Sequence, residues 1–115
     1  MIDDEKKLSK VILFYKPTNE YGFLSNFYNS KFYYRDIWWK TSEHAYQAMK
    51  SFSMYDWEYV RNAKTAKEAK KRGNKLSLRN DWYKVKYELM VEILKAKFSQ
   101  NPSLLKSLID TGDSL

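Results

Sequence analysis

The residues best suited to chemistry lie in one short stretch, WWKTSEHAYQAMK, at residues 38–50. Glu43 is the leading candidate, since a carboxylate can stabilise a cationic transition state or activate a water molecule. The position also suits a structural role, because an acidic side chain in the first turn of a helix complements the helix dipole. The residue types alone leave both roles open for Glu43.

His44 is the only histidine in the chain. On a helix it lies about 100° round from Glu43, so the two side chains do not share a face. A lone histidine beside apolar residues is more often structural than catalytic, and we expect a structural role for His44. The same geometry places Glu43, Gln47 and Lys50 in a narrow polar stripe that points away from the core. The opposite, apolar face consists of Ala45, Ala48, Met49 and Phe52.

A second group of candidates lies where RNDW (79–82) precedes a long amphipathic pattern. The Trp82 indole either forms the wall of a pocket near a helix N-terminus, whose N–H groups attract phosphate, or anchors the helix in the core. Lys86 falls within the apolar arc of that helix. A lysine at such a position either reaches outward to solvent or is held there for a chemical purpose.

Composition narrows the classes of function. A chain of 115 residues fits one domain with one hydrophobic core. Its formal net charge of +7 favours an anionic partner such as phosphate, a nucleotide or nucleic acid, or else serves solubility. With no cysteine and one histidine, we expect no disulfide and no Cys/His zinc site. No apolar run is long enough to span a membrane and the charged N-terminus is not typical of a signal peptide, so we expect a cytosolic protein.

Hydrophobic periodicity predicts an α+β domain that is mainly helical, with a small N-terminal β element and a long central helix. KVILFY (10–15) fits a buried strand, and KFYYRDIWWK (31–40) fits a hairpin that turns at its Arg-Asp pair. A helix should begin after Thr41 or Ser42, either of which can cap it. Further helices are predicted at 55–63, from the TAKE capping box (65–68) to Gly73, at 81–98, and after Asn101-Pro102.

Several segments, taken in order, resemble a single family. They are YGFLSNFY (21–28), WWKTSEHAYQAMK (38–50), TAKEAKKRGN (65–74), RNDWYKVKYELM (79–90) and LKAKFSQNPSLLKSLIDTG (94–112). From about Phe14 to Gly112, the chain is similar to the NADAR domain, also called the YbiA-like family. The WxTSEHxxQ and RxxW…K…M elements are specific in combination.

The resemblance implies a helical α+β fold that cleaves N-glycosidic bonds between ribose and a base or amine. Activities known in the family include hydrolysis of phosphoribosylated aminopyrimidine intermediates of riboflavin synthesis and removal of ADP-ribose from guanine. The resemblance also implies that no metal or redox cofactor is needed. The expected partner is a nucleotide-like small molecule, such as ADP-ribose or a ribosyl-phosphate adduct, or an ADP-ribosylated nucleic acid.

The resemblance also assigns roles to individual residues. Glu43 matches the carboxylate that stabilises the charge developing on ribose or activates water. Trp82 matches the pocket tryptophan that stacks on the base. Lys86 would meet phosphate or, as an amine nucleophile, attack C1′. The other expected substrate-binding residues are Asn26, Gln47, Lys50, Arg79 and Trp39.

The chain departs from the family pattern after the Thr-Gly of residues 111–112. Family members continue with an acidic residue, a D-x-x-W-G-like stretch and a glycine-rich run, which contribute a second acidic group to the pocket. We therefore expect a single domain, residues 1–115, that lacks this C-terminal segment. Three functions stay open: an N-glycosidase, a module that binds ADP-ribose without turnover, and a fragment whose fold a partner or self-association completes.

Overall fold

The computed structural model describes residues 30–103 and residue 106. This part of the chain forms a two-stranded antiparallel sheet followed by helices, so the predicted α+β, mainly helical class is confirmed. The elements are β1 (Phe32–Tyr34), β2 (Ile37–Trp39), α1 (Ser42–Ala48), α2 (Met54–Arg61), α3 (Ala66–Gly73) and α4 (Trp82–Ser99). The strand predicted at 10–15 lies outside the described residues, as does most of the helix predicted after Asn101-Pro102.

β1 and β2 form the hairpin predicted for residues 31–40. Its turn consists of Arg35 and Asp36, whose φ angles are 53° and 65°. Positive φ at both central residues is what a two-residue hairpin turn of type I′ requires. The twist of that turn matches the twist of the strands, which lets the pairing begin directly beside it.

The two faces of the hairpin have different surroundings. Phe32 and Trp39 pair across the strands, and both are buried in the core. Tyr33 and Trp38 pair on the other face, where both rings are exposed and their centroids lie 5.4 Å apart. Alternation along the strands therefore joins one face to the core and leaves an aromatic pair in solvent.

Threonine side chains cap two of the helices, as the sequence predicts. Thr41 Oγ1 accepts a hydrogen bond from the N–H of His44 at 3.2 Å, and Thr65 Oγ1 accepts one from the N–H of Glu68 at 3.1 Å. The Glu68 carboxylate accepts from the N–H of Lys64 at 2.8 Å. The reciprocal bond of this capping box thus reaches the residue before the cap rather than the cap itself.

The core lies between the inner face of the hairpin and the helices, and α1 contacts each of the other three helices. Because α1 is surrounded in this way, its polar residues are buried along with its alanines. The largest fully buried side chains of the described residues are Trp39, Phe32, Lys97, Phe98, Met49, Ile93, Leu94, His44 and Val60.

Two predictions about α1 are wrong. Phe52 does not belong to its apolar face, because the helix ends at Ala48 and the Phe52 side chain is 66% exposed. The polar stripe does not point away from the core either, since Glu43 is 5% exposed and Gln47 is 3% exposed. Helix α3 packs against that side of α1, and periodicity along α1 carries no information about a helix that covers it.

The buried lysine of α4 is Lys97 rather than Lys86. Lys86 shares the apolar arc by its spacing, but it is exposed, with its ammonium 5.2 Å from the centroid of the Tyr83 ring. Lys97 is fully buried, and its Nζ donates to Ser42 Oγ at 3.3 Å. Burial lowers the pKa of Lys97 to about 8. Of the two alternatives for Lys86, the structure therefore shows the one in which the side chain reaches outward to solvent.

Candidate active site

Glu43 lies in the first turn of α1, on the side that α3 covers. Its neighbour one turn along, Gln47, donates from Nε2 to Glu43 Oε1 at 2.6 Å. Oε1 is the only oxygen of this carboxylate that accepts a hydrogen bond from a described side chain. The arrangement orients the carboxylate through one oxygen and leaves Oε2 for a water molecule or a substrate.

Helix α3 packs closely against α1 at Gly73. A Cβ atom at Gly73 would overlap Gln47 Oε1 and lie 2.7 Å from Gln47 Cβ, so a larger residue does not fit without movement. Gln47 Oε1 is buried and has no hydrogen-bond partner in the described part of the chain. The Gln47 amide is therefore confined between Glu43 and Gly73, with its donor directed at the carboxylate.

Lys50 follows the end of α1, and its Nζ lies 3.5 Å from Asn74 Oδ1. Burial lowers the pKa of Lys50; the charge of Glu43 acts to raise it and that of Lys70 to lower it further. The backbone N–H of Arg79 donates to the carbonyl oxygen of Lys50 at 2.7 Å. This bond brings the RNDW segment to the same end of α1 as the lysine.

Arg79 and Trp82 lie beside these residues and are already in contact with protein groups. The Arg79 guanidinium donates to both carboxylate oxygens of Asp81, at 2.6 and 3.0 Å, and its Cζ lies 4.0 Å from the centroid of the Phe52 ring. The Trp82 ring is buried, with its centroid 5.1 Å from that of Tyr46. Burial raises the pKa of Tyr46, and the charge of Glu43 raises it further. Trp82 therefore anchors α4 to α1 close to the carboxylate, and its stacking role stays a prediction.

The structure thus gathers most of the predicted site residues at one place, which we call the Glu43 cluster. The Glu43 cluster consists of Glu43, Tyr46, Gln47, Lys50, Gly73, Arg79 and Trp82. Trp39 lies instead on the hairpin, where its indole N–H donates to a backbone carbonyl at 2.9 Å. Lys86 is exposed on α4, one turn beyond the tryptophan of the cluster, and Asn26 lies outside the described residues.

His44 lies on another side of α1 and holds the helix in place. Its Nδ1 lies 2.7 Å from Thr41 Oγ1, and its Nε2 lies 3.0 Å from the carbonyl oxygen of Ala63. A carbonyl can only accept, so we assign the proton to Nε2, and the Thr41 hydroxyl then donates to Nδ1. Burial lowers the pKa of His44. These contacts are those of a structural histidine.

Tyr46 and Gly73 are members of the cluster that sequence reasoning missed. Tyr46 lies three residues after Glu43 in the same motif, which was the available signal. The sequence indicates Gly73 only as a helix end. Its second role, as the point where α3 meets Gln47, depends on a contact between two helices and has no local signal.

Neither a metal-binding group nor a membrane-spanning helix is found in the part of the chain that the structure describes. Residues 30–103 and 106 contain no group of three or more His, Cys, Asp or Glu side chains that could hold a metal ion. None of the helices formed by these residues is long and apolar enough to cross a membrane.

Comparison with known proteins places this fold and motif set in a family. The family model of the NADAR domain matches residues 13–115. The chain belongs to the NADAR domain family. It is 36% identical over 109 residues to a riboflavin biosynthesis protein of Vibrio vulnificus, covering 93% of this chain and 30% of that protein. The family recognised from the motifs is therefore confirmed.

Two N-glycosidases are also similar to this NADAR chain. An N-glycosidase of Nostoc punctiforme is 36% identical over 109 residues, which is 90% of this chain and 70% of that protein. N-glycosidase YbiA of Escherichia coli is 34% identical over 104 residues, which is 89% of this chain and 65% of YbiA. The NMR structure of Escherichia coli YbiA has a TM-score of 0.66 and 33% identity, over 83% of this chain and 57% of that one. The fold is thus shared with YbiA.

Proposed function

We propose that this NADAR domain is an N-glycosidase that hydrolyses the bond between ribose C1′ and a nitrogen atom. The observation that carries the proposal is Glu43, a residue that is 5% exposed and whose carboxylate accepts a hydrogen bond from Gln47 Nε2 at 2.6 Å. As the C1′–N bond breaks, positive charge develops on C1′ and on the ring oxygen of ribose. A fixed carboxylate with few water neighbours stabilises such a charge without first having to reorient. The names of the Nostoc and Escherichia relatives support the same reaction class.

The proposed step uses the free oxygen of Glu43. A water molecule hydrogen-bonded to Oε2 bonds to C1′ through its oxygen, and its proton passes to the carboxylate. The C1′–N bond breaks, its electron pair goes to the nitrogen, and the nitrogen is protonated from solvent. The products are a ribose with a hydroxyl group on C1′ and a free base or amine.

The proposed substrate is a phosphoribosylated aminopyrimidine or an ADP-ribosylated guanine. The name of the Vibrio relative, a riboflavin biosynthesis protein, supports the first. Lys50 is the cation next to Glu43 and suits a phosphate, while Trp82 would contact the base. Gln47 acts as a positioning residue, because its donor is committed to the carboxylate. Arg79 and Trp39 are also proposed to contact the substrate, and Asn26 to orient its ribose or base by a hydrogen bond.

A covalent route through Lys86 is the second form of the reaction. The Lys86 amine would bond to C1′ as the C1′–N bond breaks and the leaving nitrogen takes up a proton, and water would then release the sugar. The exposure of Lys86 lets a substrate reach it, but the described residues do not enclose it. Lys86→Met should abolish turnover if this route operates, and full turnover in that variant would reject it.

The experiment for the hydrolytic route compares Glu43→Gln with Glu88→Gln. Gln at position 43 can still accept the hydrogen bond from Gln47, so the fold should persist while the negative charge is lost. We expect release of free base to fall by about 100-fold or more in Glu43→Gln. Glu88 is exposed on α4, and its variant controls for loss of one surface charge. Normal turnover by Glu43→Gln would contradict the assignment.

A binding module without turnover is the alternative outcome of the same experiment. The chain spans 65% of the length of YbiA and 30% of the Vibrio relative, so activities of those whole proteins do not transfer directly. Titration of the protein with ADP-ribose by calorimetry, beside the product assay, separates the two functions. Binding of ADP-ribose without release of base would show that the domain is a binding module and not an enzyme.

A further inference from the structure

A cavity of about 440 Å³ opens beside the hairpin and shares no lining residue with the Glu43 cluster. We call it the hairpin cavity. Among the described residues, its lining consists of Lys31, Trp38, Trp39, Lys40, Arg61 and Asn62. Half of these residues are cations and none is a carboxylate. Such a lining favours an anionic ligand that also carries a flat ring.

Trp38 provides the aromatic surface of the hairpin cavity. It is 59% exposed, and its ring lies against that of Tyr33 at a centroid distance of 5.4 Å and an interplanar angle of 54°. Pairing across the hairpin holds both residues on the same outward face. An indole oriented in this way can stack on a nucleobase with little loss of side-chain freedom.

Two lysines flank the aromatic pair at the open end of the hairpin. If the strand register is continued by one residue, Lys31 lies opposite Lys40. The Lys40 ammonium donates to the carbonyl oxygen of Ala63 at 2.9 Å, which orients it and leaves two of its N–H donors. Like charges opposite each other on paired strands destabilise a hairpin, and an anion between them removes that repulsion.

Arg61, from the end of α2, supplies a third cation. Its Nε is buried and has no acceptor among the described residues. The only ion pair of its guanidinium in that part of the chain is with Glu58, at 3.5 Å on the surface. The Arg61 side chain is 35% exposed, so the terminal N–H groups of its guanidinium can donate to a phosphate oxygen, which is a strong acceptor.

We propose that the hairpin cavity binds a nucleotide, with its base stacked on Trp38 and its phosphate against the ammonium groups of Lys31 and Lys40 and the guanidinium group of Arg61. This site is separate from the residues that we assign to bond cleavage, so binding there does not require Glu43. A free nucleotide and a nucleotide within a single-stranded nucleic acid present the same base and phosphate.

The test titrates the 115-residue protein with AMP and follows binding by NMR. Trp38→Ala and Arg61→Gln should each weaken AMP binding by about tenfold, and adenosine should bind more weakly than AMP because it has no phosphate. Tyr55→Ala and Lys84→Gln are the matched controls, since both residues are exposed and neither lines the cavity. Both controls should bind AMP like the unaltered protein.

Two results would overturn the proposal. One is no AMP binding at millimolar concentration, and the other is AMP binding that neither Trp38→Ala nor Arg61→Gln weakens. Glu43→Gln should retain AMP binding while losing turnover, so failure of this proposal is distinct from failure of the proposed function. Repeating the titration with single-stranded oligodeoxyadenylate identifies the source: tighter binding than AMP, with the same dependence on Trp38, indicates a strand, and equal binding indicates a free nucleotide.

Discussion

The Glu43 cluster and the hairpin cavity differ in how deeply their polar groups are buried. In the cluster, Glu43 and Gln47 are buried and bind each other where α3 packs against α1 at Gly73. In the cavity, three cations lie at or near the surface and none of the described lining residues is a carboxylate. The cluster therefore depends on helix packing, whereas the cavity depends on one hairpin and the end of α2. Changes to helix packing should disturb the first region and spare the second.

Gln47→Ala should produce the largest difference between the two regions, because it should lower base release without changing AMP affinity. It removes the hydrogen bond to Glu43 Oε1, and hydrogen bonds to charged groups contribute about 1.5–3 kcal/mol. We expect kcat/KM for base release to fall about 10- to 100-fold. AMP affinity, measured on the same preparation, should be unchanged. A loss of both properties together would show that the two regions are not independent.

Gly73→Ala should destabilise the fold through the same contact. Alanine is the better helix former by about 1 kcal/mol, but the added Cβ would meet Gln47 Cβ at 2.7 Å as well as the end of the amide. Overpacking should dominate and lower the free energy of unfolding by about 1–3 kcal/mol in urea denaturation. Lys71→Ala, at an exposed position of the same helix, is the control. An equal or higher stability of Gly73→Ala would show that Gln47 moves aside easily.

Stability should rise with pH between about pH 8 and pH 10, because of Lys97. Burial lowers the pKa of Lys97 to about 8 in the folded protein, against an ordinary value of 10.5. Between these values the unfolded chain binds more protons than the native one, so raising the pH favours folding. From pH 8 to pH 9 the gain should be about 1 kcal/mol in the free energy of unfolding. Denaturation curves at these two pH values measure it.

Lys97→Met is the control for this pH dependence and should remove most of the rise. In Lys97→Met the free energy of unfolding should still rise slightly with pH, since burial also lowers the pKa of Lys50. Burial raises the pKa of Tyr34 and Tyr46 above the usual 10, which opposes the trend only when the pH exceeds about 10. An unchanged slope in Lys97→Met would assign the effect to other groups.

Tyr33→Ala should have the smallest effect. The ring is exposed and contributes a cross-strand contact to Trp38, and such pairs contribute about 0.2–1 kcal/mol. Unfolding should therefore shift by less than about 1 kcal/mol, base release should be unchanged, and AMP should bind only slightly more weakly. Tyr83→Ala, exposed on α4, is the matched control. A large loss of turnover in Tyr33→Ala would connect the hairpin to the Glu43 cluster.

The elements that the sequence predicts well are those with local signals. Thr41 and Thr65 cap helices because a hydroxyl three residues before an amide can reach it, and this spacing is visible in the sequence. The Arg35-Asp36 turn and the alternation on either side of it are equally local. What periodicity finds is the set of residues that share a face, but not what covers that face.

The sequence by itself determined the order of the elements, the helix caps, the family, and Glu43 as the residue to test. Only the tertiary structure decided that Glu43 and Gln47 lie inside the fold, and that Lys97 rather than Lys86 is the buried lysine of α4. The physical reason is that burial of a side chain is set by elements distant along the chain. Helix α3 packs against Gln47, the partner of the Glu43 carboxylate, and Ser42 at the start of α1 contacts Lys97, through contacts that neither segment encodes alone.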